Sequence, residues 1–267
     1  MIAPAMASVG LPARRYNVEL VKKNRSHWYD VRALTGEQLA FLPGVTGVLG
    51  VIAKPMLIPW ATKMALQAAE AALMDRLKGK PEARIKLTPQ WVAEVVKEAK
   101  ERPDKIKDEA ADLGTMAHQV FDDVVLGKEV LIENVPEAIK QPVQNFLDWL
   151  KSSGVQLVMG DTAVASIAAG FGGKIDALGW KDGQYGIIDF KTSSGIWPEY
   201  ALQVAAYAHG FEETFGVPIG FAEIVRFDKN KPIFEHKRIS NLTVSYGAFA
   251  AAKELQSILK DHVHFDD

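Results

Sequence analysis

The 267-residue chain contains no cysteine. That absence excludes disulfides, thiolate zinc sites, a cysteine nucleophile and a cysteine-bound iron–sulfur cluster in one step. Long apolar runs are missing too. Nothing approaches the roughly 18 residues a membrane span needs, so no membrane partner is expected. The first residues lack the charged-then-apolar layout of a signal segment, and with only Arg14 and Arg15 they make a poor transit peptide; a cytoplasmic protein is the expectation. Neither sign of charge dominates: 31 Lys and Arg stand against 33 Asp and Glu, for a net charge of −2. A passive polyanion binder is thereby excluded, and any nucleic-acid contact must come from locally concentrated basic residues. Internal repeats, low-complexity tracts and clear linkers are also lacking. What remains is 48% hydrophobic and 24% charged, ordinary for a globular chain long enough for one large domain, with or without a helical extension.

The organising stretch runs from Gly173 to Tyr207, GKIDALGWKDGQYGIIDFKTSSGIWPEYALQVAAY. At its centre Asp182-Gly183 lies between two apolar, branched and aromatic runs, the strongest short-range signal for a two-residue hairpin. With those two residues as the loop, Trp180 faces Tyr185, Leu178 faces Ile187, Asp176 faces Asp189 and Lys174 faces Lys191. Residues two apart share a face. One face therefore reads aromatic, aliphatic, acidic and basic, and the other carries Ile175, Ala177, Gly179, Gly186, Ile188 and Phe190. Both faces look covered, as in a sheet between helical layers.

Directly opposed carboxylates, with Cβ atoms on the order of 5 Å apart, repel one another and call for a cation. A hard divalent ion, Mg²⁺ or Mn²⁺, suits one or two carboxylates with the remaining positions left to water and a phosphate. Lys191 shares the face of Asp189 two residues on. There an ammonium would orient a water, help deprotonate it, or neutralise charge building on a phosphate.

Elsewhere, residues 16 to 33 suggest a hairpin turning at Lys22 to Arg25, and Ile58 to Leu77 a packing helix ended by Gly79, with Lys54 and Lys63 as possible phosphate contacts. Thr88-Pro89 caps a helix expected to stop at Pro103. A further helix, from about Asp104 to Leu126, ends at Gly127. On it His118 and Asp122 share a face, and Gly114, costly in a helix, marks close backbone approach. Glu137 to Ser152 reads as an amphipathic helix. Two strand signals follow, with Asp161 between them as a turn residue or a further acid near the metal. After Lys191 come Thr192 and Ser193, then a helix from Pro198 to about Phe215 carrying Gln203 and Tyr207 one turn apart. Phe221 to Arg226 and Ile233 to Arg238 read as strands, and Val244 to Leu259 as a closing helix. The expected division is a hairpin and helical extension over residues 1–88, packed on a core over 89–267, with a seam near 78–88.

Four blocks, GTMAH at 114–118, GKID at 173–176, IDFKTS at 188–193 and QVAAY at 203–207, occur in an order that resembles the RecB-type, phage-exonuclease-like branch of the PD-(D/E)xK nuclease superfamily, with its Cas4-like and mitochondrial genome maintenance relatives. The segments LPGVTGVLG and KPMLIPWA resemble what precedes that core in phage-type members. The resemblance implies an α/β, restriction-endonuclease-like fold, a central mixed β-sheet flanked by helices, with an N-terminal helical extension. It implies metal ligation by Asp176, Asp189 and His118, with Lys191 as the catalytic lysine. Asp122, Gln203, Tyr207, Lys174, Thr192 and Ser193 would support the site or touch DNA. Asp122 stands where the family often has glutamate, and the cysteine-free chain points to the cluster-free subgroup. The implied activity is a Mg²⁺- or Mn²⁺-dependent DNA exonuclease of recombination, repair or replication, with an annealing recombinase as a possible partner. The alternatives are a restriction-like or structure-specific endonuclease, and a catalytically silent DNA-end-binding module.

Overall fold

The computed structural model describes residues 10–24, 26–52, 54, 57–78 and 88–261. Strands β1 (Asn17–Lys23), β2 (Ser26–Arg32) and β3 (Gln38–Pro43) form an antiparallel sheet in that order. The first two strands are the expected hairpin; β3 has no counterpart in the sequence reading. A short helix α1 (Val45–Val48) follows, then α2 (Leu57–Leu77) and α3 (Pro89–Val125). Next come α4 (Glu137–Ser153), β4 (Gln156–Ser166), β5 (Phe171–Lys181), β6 (Gln184–Lys191), α5 (Pro198–Phe215), β7 (Phe221–Phe227), β8 (Phe234–Arg238) and α6 (Leu242–Asp261). Among the described residues no helix is long and apolar enough to cross a membrane.

The second sheet is mixed, in the order β4-β5-β6-β7-β8, antiparallel except for the β6–β7 pair. That parallel pair requires a crossover, which α5 supplies. Alternation along β6 sends Ile187 and Phe190 to opposite faces. Ile187 joins Leu178, Ile175, Val204, Phe211 and Phe249 in a core built with α1, α5 and α6. Phe190 instead meets Phe121 of α3, Phe146 and Trp149 of α4 and Phe227 of β7, with ring centroids 5.2 to 5.8 Å apart. All five of these rings are buried, and the cluster fixes the C-terminal part of α3 against the sheet.

The chain divides into two compact units, Met1–Ile52 with Gly114–Asp267, and Ala53–Leu113. The division expected at residue 88 falls inside the second. Gly79 and nearly all of the expected seam lie outside the described residues, as does Arg25 of the expected first turn. The expected helix stop is overturned: α3 does not end at Pro103 but continues through it. An internal proline costs a hydrogen bond and a steric clash, about 3 kcal/mol. Here the ring is buried, and ion pairs Lys97–Glu101, Lys105–Glu101 and Lys107–Asp104 flank the position. The two strand signals around Asp161 are likewise one strand, β4.

Candidate active site

The loop end of the β5–β6 hairpin follows the expected register. Asp182 and Gly183 have φ of 52° and 78°, as a type I′ turn requires. Trp180 pairs with Tyr185, Leu178 with Ile187 and Ala177 with Ile188, and the Trp180 and Tyr185 rings pack edge-on at 4.8 Å.

Beyond Ala177 the expected register fails. Asp176 is not the ladder partner of Asp189, and Lys174 does not face Lys191. Lys174 pairs with Ala163 of β4, while Asp189 and Lys191 pair with Ile224 and Arg226 of β7. Between Gly160↔Ala177 and Thr162↔Ile175 the β4–β5 pairing skips Asp161 and Asp176, and Asp161 takes a left-handed φ of 45°. Ile175 and Leu178, three apart, consequently share one core, against the expected alternation. The physical reason is the charge itself: two carboxylates directly opposed would repel. The strands part, and Asp176 Oδ2 accepts the Phe190 N–H at 2.8 Å in place of a ladder carbonyl.

The fork gathers the chemistry. Asp189 is 2% exposed; burial, opposed by Lys191 and reinforced by Asp176, pushes its carboxyl up to about 7. The Lys191 ammonium forms an ion pair with Asp189 and lies 4.8 Å from the centre of the Tyr200 ring. Burial pulls the ammonium down, but Asp189 and Asp176 outweigh it and leave it raised. From α3, His118 Nδ1 stands 3.7 Å from Asp176 Oδ1; burial and then Lys191 and Lys174 lower the imidazole against the pull of Asp176, so its neutral, ligating form is favoured. One turn on, burial together with Asp161 and Asp176 raises Asp122 to about 7.

The remaining expected residues divide. Tyr207 is buried and receives a hydrogen bond from Gln203 Nε2 at 2.7 Å. Its phenol is raised by burial and by Asp189. Thr192 is buried, and its hydroxyl lies 3.2 Å from where a Cβ on Gly114 would stand; the close approach expected of that glycine is present. Ser193 turns away, donating to the Gly195 carbonyl at 2.8 Å. Lys174 forms an ion pair with Asp161, so Asp161 is both a backbone irregularity and an acid of the cluster. Sequence reasoning missed Tyr200, although Tyr200, Gln203 and Tyr207 fall at i, i+3 and i+7, one stripe of a helix.

Among the described residues no three His, Asp or Glu side chains already converge into a cage for an ion. The donor set still fits a hard divalent cation, which takes one or two carboxylates and retains water. Asp189 Oδ2 is buried and meets the Lys191 ammonium in an ion pair; a carboxylate has about four lone-pair sites, so others remain for such an ion.

A sequence profile of the PD-(D/E)XK nuclease superfamily matches residues 73–264. No curated protein matches the chain. Among solved structures it is similar to the one titled "Crystal structure of SSO0001", at 12% identity over 73% of this chain and 88% of that one, with a TM-score of 0.36. It is also similar to an alkaline exonuclease (LHK-Exo) from Laribacter hongkongensis, at 16% identity over 52% of this chain and 79% of that one, with a TM-score of 0.30. At those TM-scores neither likeness carries weight for function.

Proposed function

The chain belongs to the PD-(D/E)XK nuclease superfamily, and from that premise we propose that it is a divalent-metal-dependent DNA exonuclease. Its mixed five-stranded sheet between helices is the restriction-endonuclease-like fold of that superfamily. The observation that carries the reading is the fork in the sheet, where a buried Asp189 is ion-paired with Lys191 and Asp176 is held by the Phe190 N–H.

In this reading Asp176 and Asp189 would hold the ion, with His118 as a neutral imidazole available as a further ligand. Mg²⁺ or Mn²⁺, when bound there, supplies a Lewis acid that lowers the pKa of water and polarises a phosphoryl oxygen. Lys191, kept charged by two carboxylates, neutralises the charge that grows on the phosphate. A raised ammonium pKa disfavours the general-base role and favours this one. The Tyr200 ring lies against the lysine ammonium, and Tyr207, bonded to Gln203, is within electrostatic reach of Asp189. Attack from DNA ends, and an annealing recombinase as partner, rest on the resemblance of the ordered sequence blocks to phage-type exonucleases.

The test is cleavage of 5′- and 3′-labelled linear DNA, single- and double-stranded, beside a covalently closed circle, with Mg²⁺, Mn²⁺ or EDTA. Release of label from linear DNA only, lost in EDTA and in Lys191→Ala, is the expected result. Equal cutting of the closed circle would replace the exonuclease with an endonuclease. Binding without cleavage, unchanged in Asp189→Ala, would leave a DNA-end-binding module.

A further inference from the structure

Tyr16, Val18, Tyr29, Val31 and Leu42 pack with Ala165, closing an apolar seam between the N-terminal sheet and β4. By alternation, the inward face that carries Val18 and Leu20 on β1 continues to Lys22, and the face that carries Val31 and Tyr29 on β2 continues to His27. Lys22 and His27 are ladder partners, and both are exposed. The same end of the hairpin is tied to β5: the Gly44 N–H donates to the His27 carbonyl at 3.0 Å, and Gly44 bridges Gly172. Two residues further along β5 is Lys174, whose ladder partner Ala163 packs against the seam.

The backbone thus brings Lys22, His27 and Lys174 to one place, where the apolar seam ends and the acidic fork begins. Partial desolvation, then Lys22 and Lys174, hold His27 below its usual range. Lys174 has Asp161 for a partner and also acts on His118 and Asp122. Cations gathered so closely repel each other, and an anion between them relieves the repulsion.

We infer that Lys22, His27 and Lys174 form a docking point for the sugar–phosphate backbone of the DNA strand, beside the scissile bond. The inference rests on the nuclease reading above and adds Lys22 and His27, which lie outside the motifs that carried it, to Lys174. Two ammonium groups and an imidazole N–H are suited to a phosphodiester, which they position without reading sequence.

The experiment measures anisotropy of labelled single-stranded and overhang-bearing DNA against salt concentration, in the full chain carrying Lys191→Ala so that no DNA is cut. Adding Lys22→Glu should weaken binding about tenfold and reduce the log–log salt slope by about one. Adding His27→Ala should weaken it by about threefold, while Lys237→Glu, the same charge change on exposed β8, should stay within about twofold. Melting temperatures within a few degrees of the parent would show that these exposed substitutions leave the fold intact. An unchanged slope and affinity in Lys22→Glu overturns the docking point. If the parent also cuts DNA in the labelled assay, the nuclease reading stands and only this inference falls; if the parent neither cuts nor binds, both fall.

Discussion

The two ends of the β5–β6 hairpin are built on opposite terms. At the loop end Trp180 meets Tyr185 and Leu178 meets Ile187 in register, and contact area supplies the stability. At the far end Asp176, Asp189 and Lys191 would have continued the same ladder, but the strands part and Asp176 takes up a backbone N–H instead. The closed end secures the fold and tolerates no loss of volume. The open end gathers the charged groups at an electrostatic cost.

Substitutions can test that contrast directly. The largest effect belongs to the open end: Asp189→Ala or Lys191→Ala should reduce cleavage by at least about a thousandfold, measured under single turnover, with circular dichroism unchanged. Divalent ion should raise the parent's melting temperature and fail to raise that of Asp189→Ala. At the closed end, Leu178→Ala should cost about 3 kcal/mol in denaturant unfolding, while the cleavage rate per folded molecule changes little. If Leu178→Ala also removes cleavage from the folded fraction, the two ends are not separable.

The pH dependence offers a finer comparison. Asp122 is raised from 3.8 to about 7 in the folded protein, so between those values the native state binds more protons than the unfolded chain. Stability contributed by this group therefore falls as pH rises through that window and is lowest above it. Asp189 is raised to about 7 as well and acts in the same direction. Melting of the metal-free protein should decline from about pH 4 to about pH 7, and Asp122→Asn should flatten the decline. After discounting for partial exposure, that substitution should stabilise the protein on the order of 1–2 kcal/mol above the window. The smallest effect is expected at the turn, where Gly183→Ala, at φ 78°, should cost about 1 kcal/mol without altering cleavage.

Local chemistry explains which elements could be read in advance. The Asp182-Gly183 turn and the Thr88 cap, which accepts the Trp91 N–H at 3.2 Å, each depend on a few adjacent residues. Strand β3 carries Leu39 and Phe41 exposed and shows little alternation, so it forms only because β2 is there to pair with. Pro103 misled for the converse reason: its local penalty is real, yet its ring is buried and the helix runs on through it.

The sequence by itself determined the hairpin, its turn, its apolar pairs and the identity of the residues at the site, since periodicity and turn geometry are properties of neighbours along the chain. Only the tertiary structure decided where the hairpin opens. That depends on β7 taking the other edge of β6, on Asp161 interrupting β4, on five buried rings seating α3 beside Asp176, and on the repulsion between carboxylates that a continuous ladder would have forced together.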